Sequence, residues 1–394
     1  METLFERLIS TSLLQHLKRF PCVALLGSRQ TGKTTLVKML KDQYDRESIY
    51  LDLESDEDNV KLSNAELYFH ERADKLIILD EIQRNPRLMA LIRSVIDKKR
   101  INGRFLLLGS ASPELLAKSS ETLAGRIAYL ELHPFFYEEV KGNFHYDQLW
   151  LRGGFPDSLL QPTDQDSNRM RQQFIQTYVE RELAVLGLSA SSIRLKNMLR
   201  MLAHLQGQMI NYSQIASSLA VDVSTLKRYL DYFEHAFLIR RLEPFHVNLK
   251  KRLVKSPKCY IRDSGLYHAL FAIENKEDLD GFPGKGNSWE TFVIQEIIGR
   301  LKENVDAYFY RTHEGSELDL VLVRGNKAII GIEIKLSNSP AITRGTTIAS
   351  ADLGNIPVYV VTHSVSEGYK HNENVMVTSF ENVFSHLSNL KLIA

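Results

Sequence analysis

ALLGSRQTGKTTLVKML, spanning Ala24 to Leu40, sets an apolar run, a glycine-framed loop, a lysine, a hydroxyl and a helical pattern in that order. Residues 23–26 read as a short buried parallel strand. From Thr35 onward the apolar spacing is helical. Strand, loop and helix form the context in which G-x-x-x-x-G-K-[ST] holds phosphate. Gly27 and Gly32 let the backbone wrap closely, so the N–H groups of Ser28, Arg29, Gln30 and Thr31 can converge on one anion. The start of the helix adds free N–H groups and the positive end of its dipole. Lys33 then supplies a point charge to the β- and γ-phosphates, Thr34 a hydroxyl to Mg²⁺, and Thr35 completes the loop. The expected cofactors are ATP and Mg²⁺.

A phosphate-bound metal needs an acid, and KLIILDEIQRNP supplies one. Residues 76–79 read as a second buried strand, with Asp80 and Glu81 at the C-terminal edge where ligands of open α/β sheets bind. Asp80 is expected to hold Mg²⁺ through water, and Glu81 to polarise the attacking water; a solvated acidic turn is the alternative. A third strand, 105–108, ends near Ser110, a candidate contact for the γ-phosphate or the water. Arg126 precedes a fourth strand. Its guanidinium either reads the γ-phosphate, in its own subunit or a neighbour's, or sits in a surface salt bridge.

The bulk numbers constrain the rest. A chain of 394 residues holds two or three domains. A net charge of +1 gives no global drive toward nucleic acid or an anionic membrane. Two cysteines, Cys22 and Cys259, make no disulfide framework, and Cys22 reads as a buried thiol. Residues 1–20 read as an amphipathic helix carrying Leu4, Phe5, Leu8, Ile9, Leu13, Leu14 and Leu17. No run approaches the ~18 apolar residues of a membrane span, so no membrane association is expected and the chain reads as cytoplasmic.

GSRQTGKTTL, LIILDEIQ, LLLGSAS, LAGRIAYLELHPF and LWLRGGFPDSLL together resemble the prokaryotic AAA-type ATPases that carry a C-terminal DUF4143 domain. The resemblance covers essentially the whole chain. It implies an α/β P-loop core of the AAA type followed by a helical lid. It also makes Arg152 either a sensor or a helix-linked salt bridge. If AAA subunits share sites, Arg126 acts across an interface of a homo-oligomer.

In the middle of the chain, residues 171–188 are helical, with Phe174, Tyr178 and Leu183 as the buried stripe. INYSQIASSLAVDVSTLKRYLDYFEHAFLIRRLEPF then reads as helix, turn, helix, strand, with Ser213 and Ser224 as N-caps. That order suggests a winged helix-turn-helix. Lys227 and Arg228 would lie at the front of the second helix, and Lys250, Lys251, Arg252, Lys255 and Lys258 in a basic wing. DNA contact and plain packing both remain open.

The last third contains GNSWETFVIQEIIGRL, a helix bearing Glu290, followed by three strands in YFYRTHEGSELDLVLVRGNKAIIGIEIKLS. Alternation puts Glu333 and Lys335 on one face of the last strand, with Ile332 and Ile334 on the other. A three-residue loop at 325–327 would pair Asp319 with Glu333; a two-residue loop would turn Asp319 away. Two facing carboxylates suit a hard divalent metal, Asp319 and Glu333 as ligands, with Lys335 and Glu290 as supporting groups. Helix Glu290, strand Asp319 and Glu333-x-Lys335 resemble the PD-(D/E)xK nuclease fold, although Leu318 stands where proline is usual. The resemblance implies a restriction-endonuclease-like domain that either cleaves DNA or holds only a structural Glu333–Lys335 pair. The expected layout is an ATPase core at 1–140, lid and linker at 141–190, winged helix at 191–262 and nuclease-like domain at 263–394. Two functions fit: an ATPase coupled to a DNA-binding nuclease, or a nucleotide-switched regulator of DNA or a partner protein.

Overall fold

The computed structural model describes residues 4–112, 123, 125–246, 253–337, 339–363, 365 and 367–393. Its first sheet has five parallel strands: β1 (Cys22–Leu26), β2 (Ser48–Asp52), β3 (Leu76–Asp80), β4 (Phe105–Gly109) and β5 (Ile127–Glu131), in the order β2-β3-β4-β1-β5. Side-chain alternation splits these strands between two cores. Val23, Leu25, Leu106 and Leu108 pack with Leu13 and Leu17 of the helix Ser10–Arg19 and with Leu36 and Val37 of the helix Lys33–Met39. Cys22, Ala24, Ile77, Leu79, Phe105 and Leu107 face the other way, onto Ile92, Val95 and Ile96 of the helix Arg87–Lys98. Each fully buried Leu or Ile contributes roughly 1.5–3 kcal/mol, which is why these runs are continuous rather than alternating.

Two expectations need correction here. The sheet holds a strand, β2, that the sequence reading passed over: only Leu51 of it is buried, so its pattern is too weak to stand out. Residues 4–9 are not helical; the helix begins at Ser10.

The middle of the chain is mainly helical. Tyr146–Arg152, Pro156–Leu159 and Asp164–Thr177 lead into a π-helical turn, Tyr178–Glu182. Phe174, Tyr178 and Leu183 are buried. The helices Ser192–His204, Tyr212–Ser218 and Val223–His235 follow, with β6 (Gln208–Met209), β7 (Ile239–Leu242) and β8 (Lys258–Ile261) paired antiparallel in the order β6-β8-β7. The caps differ from expectation. Asn211 accepts from Gln214 N at 3.2 Å and Asp222 from Thr225 N at 2.7 Å, so each helix starts about two residues before the serines Ser213 and Ser224. Among the expected wing residues, Lys250, Lys251 and Arg252 lie outside the described residues, Lys255 is exposed, and Lys258 is buried.

The third sheet has strands β9 (Asp306–Arg311), β10 (Glu317–Arg324), β11 (Lys327–Lys335), β12 (Val358–Thr362), β13 (Tyr369–Lys370) and β14 (Val375–Ser379). They run in the order β13-β14-β12-β11-β10-β9. One face packs on Trp289, Phe292 and Ile297 of the helix Lys285–Ile298 through Leu320, Leu322, Ile330 and Ile332. The other face packs on Ala349 and Leu353 through Val321, Val323 and Val358. The β10–β11 turn has two residues, Gly325 (φ 54°) and Asn326 (φ 63°), not three. A bulge between the pairs Val323↔Ala328 and Leu322↔Ile330 adds the missing residue back. Leu320 then pairs with Ile332, and one further step puts Asp319 across from Glu333.

Candidate functional site

The order β3-β4-β1 lines up three strand ends, so the loop after β1, Ser110 after β4 and Asp80 at the end of β3 share one edge. Gly27 is there for space: a Cβ on it would sit 2.2 Å from Leu132 O, the residue after β5. Gly32 precedes the helix with φ 89°, a conformation that favours glycine. Lys33 is buried, and its Nζ donates to Gly27 O and Ser28 O, 2.8 Å each. Burial brings its ammonium down to about 8, against the pull of Glu81 and Asp80. Thr31 Oγ1 donates to Ser28 O, and Arg7 reaches back from the N-terminal segment to Thr31 O at 2.9 Å. Gln30 (φ 63°) and Thr35 are exposed. Arg29 pairs with Glu182 of the π-helical turn and lies 3.4 Å from Glu54.

Asp80 is held by three donors. Thr34 Oγ1 reaches its Oδ2 at 2.7 Å, Tyr50 OH the same oxygen at 2.5 Å, and Glu81 N its Oδ1 at 2.8 Å. Glu81 adopts φ 55°, a left-handed conformation that a glutamate takes only when its surroundings impose it. Burial raises its carboxyl above the usual range, opposed by Lys33. Gln83 Nε2 joins Glu81 to Ser110 Oγ, the latter at 2.8 Å. Tyr50 and Gln83 escaped the sequence reading. Tyr50 lies on the strand that was passed over; Gln83, within LDEIQ, carried no signal beyond its place after the acids.

The residues present fit a nucleotide with Mg²⁺. A buried ammonium satisfied only by two neutral carbonyls is underused as a charge, and the Thr34–Asp80 pair presents adjacent oxygens of the kind magnesium takes. Lys33 would hold phosphates, and Thr34 with Asp80 the metal.

Arg126 is elsewhere. Its carbonyl accepts from Cys22 N, at the start of β1, so it stands at the opposite edge of the parallel sheet. Its Nε meets Asp97 Oδ1 at 2.5 Å. A reach to the γ-phosphate of its own subunit is thereby corrected: the length of β1 lies between them. Arg152 is buried and bonded to Asp164 at 2.6 Å, Leu159 O and Gln161 O, which is the salt-bridge alternative.

The second constellation does gather, around an unforeseen group. Lys258 Nζ lies 2.7 Å from Glu317, 3.6 Å from Asp319 and 3.7 Å from Glu290. Tyr260 OH donates to Glu290 Oε1 at 2.6 Å, and Ile334 N to Asp319 Oδ2 at 2.9 Å. Lys335 Nζ meets Glu333 Oε1 at 2.6 Å. Burial, and the Asp319 charge next, push Glu290 up to about 7 and Glu333 up to about 8. As arranged, the donor set does not fit a divalent metal: an ammonium stands among the carboxylates, and among the described residues no three acidic, histidine or cysteine side chains form a metal-holding group. Glu317 and Lys258 were missed because Glu317 only opens a strand and Lys258 looked like one more wing lysine.

Family models match three consecutive stretches of the chain: an AAA domain over residues 19–141, a domain of unknown function (DUF8612) over 143–277, and a domain of unknown function (DUF4143) over 285–383. Uncharacterized proteins of Mycobacterium tuberculosis and Mycobacterium bovis are each 38% identical over 351 residues, which is 89% of this chain and 78% of theirs. The chain belongs to their family, AAA-type ATPases with a DUF4143 domain. An uncharacterized protein of Haemophilus influenzae is 23% identical over 62% of this ATPase-like chain and 68% of its own. Among solved structures, a Walker-type ATPase of Pyrococcus abyssi is similar at TM-score 0.45 and 18% identity, over 68% of this chain and 96% of that one. A STAND protein with a tetratricopeptide repeat sensor from Pyrococcus horikoshii is similar at TM-score 0.29 and 12% identity, over 76% and 45%. The single DUF8612 match runs across both the expected linker, 141–190, and the expected winged helix, 191–262, of this AAA-type chain. Among its described residues no helix is long and apolar enough to cross a membrane.

Proposed function

We propose that this chain is an ATP-hydrolysing switch, acting in the cytoplasm, whose nucleotide state sets how its other two domains engage DNA. Lys33 and the loop of Gly27 to Thr35 hold the phosphates, Thr34 and Asp80 hold Mg²⁺, and Glu81, steadied through Gln83 and Ser110, orients water. The observation that carries this reading is the Lys33 ammonium buried against its own loop, 2.8 Å from two carbonyls, beside an Asp80 already bonded to Thr34. The order helix, β6, helix, helix, β7, β8 supports a winged helix, and Lys227 and Arg228 are exposed on its last helix, Val223–His235, where phosphate contacts belong. Ser112 and His235 join the end of β4 to the end of that helix through two contacts of 2.9 Å, which supports a route from nucleotide to reader. Arg126, facing away from its own loop, supports a homo-oligomer in which it serves a neighbour.

For the DUF4143 domain, a nuclease-like fold without open metal chemistry is the reading that Lys258 favours. The convergence of Glu290, Asp319, Glu333 and Lys335 favours a second reading, a metal-dependent nuclease. The test uses purified chain, fluorescent duplex DNA and Mg²⁺. Lys33→Ala should abolish ATP turnover and change DNA affinity, and Lys227→Glu with Arg228→Glu should remove binding. Mg²⁺-dependent cutting lost in Asp319→Asn would establish the nuclease instead. Absence of any salt-dependent DNA binding would turn the reading toward a protein partner.

A further inference from the structure

The phosphate loop carries an arginine, Arg29, midway between Gly27 and Gly32. Its side chain is 32% exposed and lines an open cleft of about 870 Å³ with Glu54, Arg84, Arg181 and Glu182. Lys33 and Glu81 both feel its charge. Burial, and last the Arg29 guanidinium, lower the Lys33 ammonium; burial raises the Glu81 carboxyl, with Lys33 first and Arg29 last among the groups that oppose it. A positive charge felt by both the phosphate lysine and the water-orienting acid is placed to serve a phosphate held between them. Arg126, the other arginine weighed for that phosphate, stands at the far edge of the sheet.

Arg29 is engaged by two acids. Its Nη1 donates to Glu182 and its Nη2 lies 3.4 Å from Glu54. The two are not equal partners. Glu54 is 36% exposed and already accepts from Arg84 Nη2 at 2.5 Å. Glu182 is buried, and among the described residues its ion-pair partner is Arg29. A buried carboxylate that loses its cation must rearrange to find water or a new donor. Glu182 ends the π-helical turn, a widened coil of the kind found mostly at functional sites. The first residue of that turn, Tyr178, donates to Ala236 O at 2.9 Å, just past the helix Val223–His235 that bears Lys227 and Arg228. One end of the turn thus holds the phosphate loop, and the other the expected recognition helix.

We propose that Arg29 is a catalytic arginine acting on the γ-phosphate within its own chain, and that Glu182 is the positioning residue that holds it away until that phosphate arrives. The inference rests on the ATP reading above and adds the residue pair that senses hydrolysis. The γ-phosphate, with more charge and more acceptor oxygens than one carboxylate, takes Arg29 from Glu182. Water oxygen then bonds to the γ-phosphorus while the bond to the β–γ bridging oxygen breaks. ADP leaves with that electron pair; one water proton stays on the new phosphate and the other leaves through Glu81. Arg29 neutralises charge on the γ-oxygens throughout. When phosphate departs, Arg29 returns to Glu182, so the π-helical turn has one position with ATP and another with ADP.

Affinities of the full chain for ATPγS and ADP by calorimetry, with kcat for ATP, test both residues. Glu182→Gln should tighten ATPγS at least about fivefold and change ADP less than about twofold, because the competing carboxylate is gone. Arg29→Gln should lower kcat at least about 10³-fold. In that background Glu182→Gln should no longer tighten ATPγS. Arg29→Lys keeps the charge and should recover part of the ATPγS preference but not kcat. A loss of kcat under about tenfold in Arg29→Gln overturns the catalytic role. Turnover restored by mixing Arg29→Gln with Lys33→Ala overturns action within one chain. Equal tightening of both nucleotides by Glu182→Gln, no tightening, or tightening that persists without Arg29 overturns the holding role. If Glu182→Gln does not fold, Glu182→Asp, one carbon shorter, replaces it with the same expected sign. A native chain that binds neither nucleotide refutes the ATP reading; one that binds both, with the variants unchanged, refutes this inference alone.

Discussion

Lys33 carries a quantitative signature of phosphate binding. Its ammonium is buried against two carbonyls and titrates near 8, lowered chiefly by desolvation. Bound phosphate places negative charge on that nitrogen and returns its pKa to well above 9. Binding must then take up a proton wherever the free loop holds neutral lysine. At pH 7.5 about three-quarters of free Lys33 is protonated, and at pH 9.5 about 3%. ATP affinity should fall about 25-fold between these values, close to 2 kcal/mol, a range in which ATP itself does not titrate. The sign is fixed: the protonated form binds, so affinity is lost as pH rises. Calorimetry at pH 8.5 in buffers of different ionisation enthalpy should report about three-quarters of a proton taken up per ATP. Lys33→Arg, which stays charged, should bind more weakly but with a flat profile. A native dissociation constant that changes less than about threefold over the range, with no proton uptake, would refute the claim that this lysine is the phosphate ligand.

Gly27→Ala places a methyl 2.2 Å from Leu132 O, so β1 and the segment after β5 must separate; thermal stabilisation by ATP should vanish while circular dichroism shows a folded chain. Lys258→Met removes a buried ammonium from three carboxylates and should destabilise the chain by about 3–5 kcal/mol near pH 8.5, read as a lowered urea midpoint. That deficit should shrink toward pH 6. Glu290 and Glu333 have folded values near 7 and 8, above their unfolded ones, so their neutral forms are favoured and the stability they contribute is lost as pH rises through those values. Arg126→Ala should leave ATP affinity within about twofold, because the side chain pairs with Asp97 at the far edge of the sheet; a much larger loss in a monodisperse monomer would mean that the sheet edges have been misassigned.

The P-loop half was legible because its chemistry is local. Gly27 to Thr34 and Leu76 to Glu81 each lie within a few residues, and burial on both faces makes their strands continuous apolar runs. Edge strand β2 lacks that signal, and with it went Tyr50, the second donor to Asp80. The pairing of Asp319 with Glu333 was foreseen through the wrong turn. Sequence carries no marker for the bulge at Ile329 that restores the register after a two-residue loop. Lys258 shows the limit most plainly. In sequence it belongs to a basic run; only its place on β8, paired between β6 and β7, turns it away from solvent and into the carboxylates. Capping serines were misplaced for a similar reason: Asn211 and Asp222 compete for the same N–H groups and lie two residues nearer the preceding turn.

The seam location of Lys258 bears on how pieces of this chain behave. A fragment starting at residue 264 would keep all four acids and lose the ammonium that neutralises three of them. Such an excised fragment would precipitate or scavenge trace metal from its buffer, and any cutting it showed would describe the amputated piece rather than the intact molecule.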